Sequence, residues 1–360
     1  MAKPNWIGIL QPKDASKPAQ PGGCGQCHIS LGNFPNHISK LTEEDYGNID
    51  CLLCHAPNYR RTVAKVGDKL RFVPAPGVDV LKAAQGVQKS TNEMCFRCHA
   101  GAGGGLNHKH GVTPTPQTDI HMAKGMQCQA CHTVKNHKIA GGADLKAQEL
   151  LDIKIDCSNC HTDKPHKGDQ GASLNDHTKR IACQTCHVPL IARDPKQPTV
   201  VERDWTTPVY NGNVGLYFPT NKFAGNVKPV YRWWNRFMKV VPEPVGSIDD
   251  PKAQIFPWKK TDYTIIADAE TGKGVYIKAG VYSITGDVAA ADKKGTEDAN
   301  QKYSGKWKGE LETLYFSLNH QVPAKGEALK CNACHGPSGV MDFMALGYKE
   351  EMIKKLTQSY

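Results

Sequence analysis

Cys128-Gln129-Ala130-Cys131-His132, Cys157-Ser158-Asn159-Cys160-His161 and Cys183-Gln184-Thr185-Cys186-His187 repeat one five-residue pattern, CxxCH, in close succession. Working outward, the same pattern occurs upstream at Cys24-Gly25-Gln26-Cys27-His28, Cys51-Leu52-Leu53-Cys54-His55 and Cys95-Phe96-Arg97-Cys98-His99, and downstream at Cys331-Asn332-Ala333-Cys334-His335. All 14 cysteines fall in these motifs. On a helical turn, positions i, i+3 and i+4 face the same way. Two thiols can then meet the two vinyl groups of a haem while the histidine nitrogen meets its iron, so each pentapeptide reads as a haem clamp. Paired CxxC units also build zinc sites, but zinc does not require a histidine directly after every second cysteine. With 15 histidines in 360 residues, seven such histidines by chance have a probability of about 10⁻¹⁰. A thioredoxin-like redox pair fails on the same count.

Composition agrees with a cofactor-filled interior. Hydrophobic residues make up 39% of the chain, with 34 Gly and 23 Pro, against roughly 45–50% apolar in ordinary soluble domains. Seven porphyrins, one for about every 51 residues, would supply the missing apolar filling. The formal charge of +10 omits the propionates. Seven haems contribute about −7 when ferric and about −14 when ferrous, leaving the protein near +3 or near −4. The lysines and arginines are scattered rather than clustered, which argues against nucleic acid. No apolar run is long enough for a membrane span. The first residues show no apolar signal segment, so the sequence reads as a mature or trimmed form. Since c haems are attached outside the cytoplasm, an extracytoplasmic location is expected: periplasm, cell surface or beyond.

The second axial position decides between conductor and enzyme, because two strong protein ligands favour electron transfer and an open position can take substrate. The proximal set is His28, His55, His99, His132, His161, His187 and His335. Eight histidines remain: His37, His108, His110, His121, His137, His166, His177 and His320. If one of His108 and His110 ligates, supply matches the demand of seven bis-histidine irons; for any single spare histidine a surface or propionate-bonding role is the alternative. Met94, Met122, Met341 and Met344 read as packing. No CxxCK motif is present.

The expected fold is a multihaem cytochrome c. It would have a haem-stacked core, short helices with much irregular structure, and a small β-rich cover at about 200–290. Residues 1–23 read as an extended Pro-rich arm, either a frayed terminus or a segment docking on a neighbour. Residues 24–187 form a six-haem domain, with helices at about 79–92 and 143–154. Residues 188–330 form a haem-free cover holding Trp205, Trp233, Trp234, Trp258 and Trp307, with strand alternation near 262–288 and a turn at Glu270-Thr271-Gly272-Lys273-Gly274. Its tryptophans read as packing, with an electron relay or a substrate cleft as the alternatives. Helical spacing through Leu311, Leu314, Tyr315 and Leu318 predicts a helix over 308–319 that would aim His320 at a haem. Residues 331–360 carry the seventh motif and a last helix at about 341–357.

Several stretches resemble a known family. Ile181-Ala182-Cys183-Gln184-Thr185-Cys186-His187-Val188-Pro189, Lys228-Pro229-Val230-Tyr231-Arg232-Trp233-Trp234-Asn235, Pro244-Val245-Gly246-Ser247-Ile248-Asp249-Asp250-Pro251 and Ile255-Phe256-Pro257-Trp258-Lys259 are similar to the octahaem tetrathionate reductases. So are Asp119-Ile120-His121-Met122, the stretch from Cys128 through His137 to Gly141, Cys334-His335-Gly336-Pro337 and Ala345-Leu346-Gly347-Tyr348. The likeness runs in order over 24–348. It implies kinship with hydroxylamine oxidoreductases and with reduction of tetrathionate, nitrite or hydroxylamine. That family's N-terminal haem has no counterpart here, the Pro-rich arm standing in its place. Its catalytic haem takes a lysine ligand, whereas the corresponding haem here, on Cys24 and Cys27, has His37 close in sequence. The resemblance with this departure suggests a conductor, and no catalytic residue is assigned.

The expected function is therefore electron transfer through seven covalently bound haems c, exchanging electrons with other redox proteins or extracellular acceptors. Head-to-tail assembly through residues 1–23 into a filament is one form this could take. A multihaem reductase and a soluble periplasmic shuttle are the rivals.

Overall fold

The structure is a computed structural model that describes residues 5–28, 30–31, 34, 36, 40–100, 108, 114–141, 155–239 and 243–358. His37, His110 and the helix expected over 143–154 lie outside these residues.

The described strands are β1 (Gly8–Leu10), β2 (Gln20–Gly22), β3 (Arg61–Val66), β4 (Lys69–Pro74), β5 (Val134–Lys135), β6 (Lys138–Ile139), β7 (Thr199–Asn211), β8 (Leu216–Ala224), β9 (Val230–Trp234), β10 (Phe237–Met238), β11 (Pro244–Val245), β12 (Gln254–Asp268) and β13 (Trp307–Ser317). The α-helices are short: α1 (Glu43–Gly47), α2 (Cys51–His55), α3 (Val80–Gln85), α4 (Asn92–His99), α5 (Ile120–Ala123), α6 (Ser158–His161), α7 (Gly171–His177), α8 (Cys183–His187), α9 (Ala279–Thr285), α10 (Val288–Asp298), α11 (Cys331–His335) and α12 (Glu350–Thr357). Motifs two, three, five, six and seven lie on α2, α4, α6, α8 and α11. Cys24–Gln26 and Cys128–Ala130 of motifs one and four are single 3-10 turns.

Two compact units share the chain. One comprises Met1–Ala102, Glu202–Lys222 and Asp262–Glu312, the other Gly103–Val201, Phe223–Thr261 and Thr313–Tyr360. This division cuts across the linear segments read from the sequence, giving motifs one to three to the first unit and four to seven to the second. Strands β7, β8, β12 and β13 each carry the chain over the division, and they pair in the order β13-β12-β7-β8.

In the first unit, residues of the Pro-rich arm form the β1–β2 hairpin, Gly8 opposite Gly22. The arm is held to its own unit, since Asn5 Nδ2 donates to Ile277 O at 2.9 Å and Ala279 N donates to Asn5 Oδ1 at 3.1 Å. β3 and β4 form a second hairpin, and β12 runs parallel to β7 with Asp262 opposite Glu202. Tyr282, Ile266, Val288 and Ala291 make a small core with Trp205 and Trp307 at its edge. In the second unit β9 pairs antiparallel with the first half of β12, Ile255 opposite Trp233. Tyr231, Trp233, Ala253, Ile255, Met341, Phe343 and Leu346 gather there, with Ile353 and Leu356 of α12 against them. The buried apolar side chains thus form several small clusters, where an ordinary chain of this length would close a large core.

Three expected helices are corrected. Residues 308–319 are mostly strand β13, because pairing with β12 outweighs the helical spacing of the leucines; Gly309 and the β-favouring Thr313, Tyr315 and Phe316 suit a strand. The helix expected over 79–92 is interrupted at Gly86, and α4 starts anew at Asn92. The last helix begins at Glu350; residues 341–348 contribute Met341, Phe343 and Leu346 to the core from turns instead. The alternation near 262–288 is strand only to Asp268, after which α9 follows.

Candidate haem-binding sites

None of the 14 cysteines is paired in a disulfide. In motifs two, three, six and seven the helix spans both cysteines and the histidine, so the spacing of the pentapeptide alone turns three side chains to one face.

Among the described residues, four proximal histidines stand opposite a second histidine within their unit. His132 faces His320 with ring centroids 6.1 Å apart, His161 faces His121 at 6.2 Å, His187 faces His166 at 6.3 Å and His335 faces His177 at 6.0 Å. The ring planes of the last two pairs are nearly parallel, at 15° and 18°. An iron between two imidazole nitrogens, each at roughly 2 Å and each about 1.1 Å from its ring centre, sets centroids about 6.2 Å apart. Each pair joins one CxxCH histidine to one of the spare histidines, which fits a bis-histidine haem.

Hydrogen bonds fix the rings. The Nδ1 atoms of His55, His132 and His335 lie 2.9, 2.9 and 3.0 Å from the backbone oxygens of Gln88, Ala140 and Leu356. A carbonyl only accepts, so Nδ1 carries the proton and Nε2 keeps the lone pair a metal needs. His166 Nδ1 meets Asn175 Oδ1 at 3.1 Å, and His121 Nδ1 meets Asp119 Oδ1 at 3.1 Å. Burial holds the His28, His177 and His187 imidazoles below the usual histidine range, favouring the neutral ring.

Arg61 and Arg97 staple the first unit's motifs, and neither was among the residues read from sequence. Arg61 on β3 donates to Gly25 O at 2.6 Å and His28 O at 2.7 Å in motif one. It also pairs at 3.4 Å with Asp50, the residue before motif two, and lies 4.4 Å over the Phe72 ring. Arg97, between the cysteines of motif three, donates to Leu53 O at 2.9 Å, Ala56 O at 3.0 Å and Pro57 O at 2.5 Å, closing the C-terminal end of α2. Gly25 in motif one is set by close approach, because a Cβ there would sit 2.5 Å from the Phe72 ring.

A cavity of about 430 Å³ beside motif two is lined by Cys51, His55, Val87, Gln88 and Lys89. Leu31, Val87, Val134 and Ile155, close to motifs in sequence, are exposed apolar side chains of the kind a flat macrocycle would cover. Sulfurs of different motifs also approach one another. The Cys27 sulfur lies 3.9 Å from Cys98 O, and the Cys157 and Cys183 side chains are neighbours. Cys131 neighbours Cys160, and Cys186 neighbours Cys331 and Cys334. Motifs four, five, six and seven thus adjoin in sequence order.

Of the remaining spare histidines, His108 is buried, at 1% exposure, with its ring 5.8 Å from that of Phe316. The buried Lys259 ammonium donates to its backbone oxygen. His137 sits at the exposed tip of the β5–β6 hairpin with φ 59°.

A sequence profile described as bacterial cytochrome c matches residues 192–338. An octaheme cytochrome c from Shewanella oneidensis matches in structure with a TM-score of 0.72 and 27% identity, covering 97% of this chain and 89% of that one. A 165-residue stretch is 30% identical to an uncharacterized protein of Archaeoglobus fulgidus, spanning 37% of this chain and 54% of that relative. The likenesses support a place for the chain among the multihaem cytochromes c, the class that its repeated CxxCH turns also define.

Proposed function

We propose that the chain conducts electrons outside the cytoplasm through seven covalently attached c-type haems, each iron held between two histidines. The observation that carries the reading is the set of four histidine pairs at 6.0–6.3 Å, each uniting a CxxCH histidine with a distant one. In this reading His320, His121, His166 and His177 are the second ligands of motifs four, five, six and seven. His37, His137 and one of His108 and His110 match the number of second ligands still needed. The haem iron provides a one-electron ferric–ferrous couple; the protein fixes both axial rings so that little rearranges when the electron arrives. Cysteines of successive motifs neighbour one another in the second unit, so haems held there would pass electrons in the order four-five-six-seven.

Among the described residues no helix is long and apolar enough to cross a membrane. Donors and acceptors in this reading are other redox proteins or extracellular acceptors. Assembly into a filament through residues 1–23 would require the arm to leave its contacts with Ile277 and Ala279, and the reading does not depend on it.

Low-temperature electron paramagnetic resonance of the oxidised holoprotein tests the proposal against the reductase alternative. Low-spin ferric signals alone, unchanged by nitrite or cyanide, are expected. A high-spin species that responds to either anion would replace the conductor with an enzyme acting on sulfur or nitrogen oxyanions.

A further inference from the structure

In the pair of His121 and His161, one ring is bonded to a carboxylate that also reaches the segment of a second pair. Asp119 is 6% exposed and caps α5. Its Oδ1 accepts from His121 N at 2.9 Å and lies 3.1 Å from His121 Nδ1. Its Oδ2 accepts from Val322 N at 3.1 Å, and Ile120 N returns a bond to Val322 O at 2.8 Å. Val322 is two residues beyond His320, which faces His132. One buried carboxylate therefore holds the outer ligands of two adjoining sites. Arg193 binds the same two segments through Thr118 O and Gln321 O, but its ion pair is with Glu327 at 3.2 Å.

His121 and His132 differ in the partner of the ring. His132 Nδ1 donates to a neutral carbonyl, Ala140 O. His121 Nδ1 donates to an anion, which draws the N–H proton, enriches the ring and strengthens its donation through Nε2. A richer ligand and a nearby negative charge both favour ferric iron over ferrous. We propose that Asp119 lowers the reduction potential of the site between His121 and His161 below the value a neutral partner on the His121 ring would give. Asp119 is a positioning residue, acting on the iron through His121, and the proposal rests on the ligand pairing given above.

The test is spectroelectrochemical titration and paramagnetic resonance of holoprotein carrying Asp119→Asn or Asp119→Ala. The amide keeps shape and one acceptor oxygen but removes the charge. In Asp119→Asn, haem content and low-spin signals persist while one midpoint potential moves upward and the others stay. Asp119→Ala gives the same upward shift and alters two low-spin signals, because the Val322 tether is also lost. Unchanged midpoints in Asp119→Asn, a downward shift, or failure of that isosteric variant to fold would each overturn the proposal. Failure of the ligand pairing itself appears elsewhere, as high-spin iron in the parent protein.

Discussion

Asp292 on α10 is fully buried, and neither carboxylate oxygen has a hydrogen-bond partner among the described residues. Burial pushes its carboxyl up to about 7. The folded chain therefore holds a proton that the unfolded chain, with an aspartate near 3.9, has released. Its effect on stability is neutral below about pH 4 and becomes increasingly unfavourable as pH rises towards 7. Asp292→Asn should flatten that slope and gain on the order of 1 kcal/mol at pH 8, read as the difference in denaturant midpoint between variant and parent across pH 4–8. No sequence pattern marks such a residue, since its environment is made by packing alone. By contrast the cysteines and proximal histidines are legible because haem attachment is local: one pentapeptide contains the whole clamp. His121, His166, His177 and His320 could be named as a pool but not paired, because each meets its partner through tertiary folding. Asp119 stood only within a stretch that resembles the family, with no role of its own, and Arg61 carried no signal at all. Arg97 did carry one, a large cation between two cysteines where the other motifs mostly hold small or uncharged side chains.

At the scale of elements, α4 and α2 are joined by Arg97, whose guanidinium occupies three carbonyls at the end of a five-residue helix that is too short to hold itself. Arg97→Ala should cost about 2–4 kcal/mol in unfolding of the holoprotein, measured by denaturant titration. Arg97→Lys should recover less than half, because a single ammonium cannot reproduce the planar fork. β13 shows why element type was misread from sequence. Leu311, Leu314, Tyr315 and Leu318 fall at helical intervals, yet the segment finds a partner strand in β12. A Cβ on Gly309 would lie 3.0 Å from Thr264, a close backbone approach that glycine permits and a helix would not use. Periodicity describes which side chains could share a face; it does not say whether a strand edge is waiting. The CxxCH helices were legible because covalent chemistry, rather than amphipathic patterning, dictates their turn.

For the whole molecule, charge depends on oxidation state. The polypeptide's +10, combined with the seven haems proposed, would give about +3 oxidised and about −4 reduced. Native electrophoresis near pH 7 should therefore show migration reversing direction on reduction with dithionite; movement towards the same electrode in both states would contradict a count of seven. The overall class was legible from composition and motifs, but the division into units was not, because the first unit is assembled from Met1–Ala102, Glu202–Lys222 and Asp262–Glu312. That interleaving has a consequence for biogenesis. The three attachment motifs of the first unit are translated long before residue 312, the last segment their unit requires. With haem attachment as proposed, thioether formation could reach the first three motifs on the emerging, exported chain before its late strands fold into the unit.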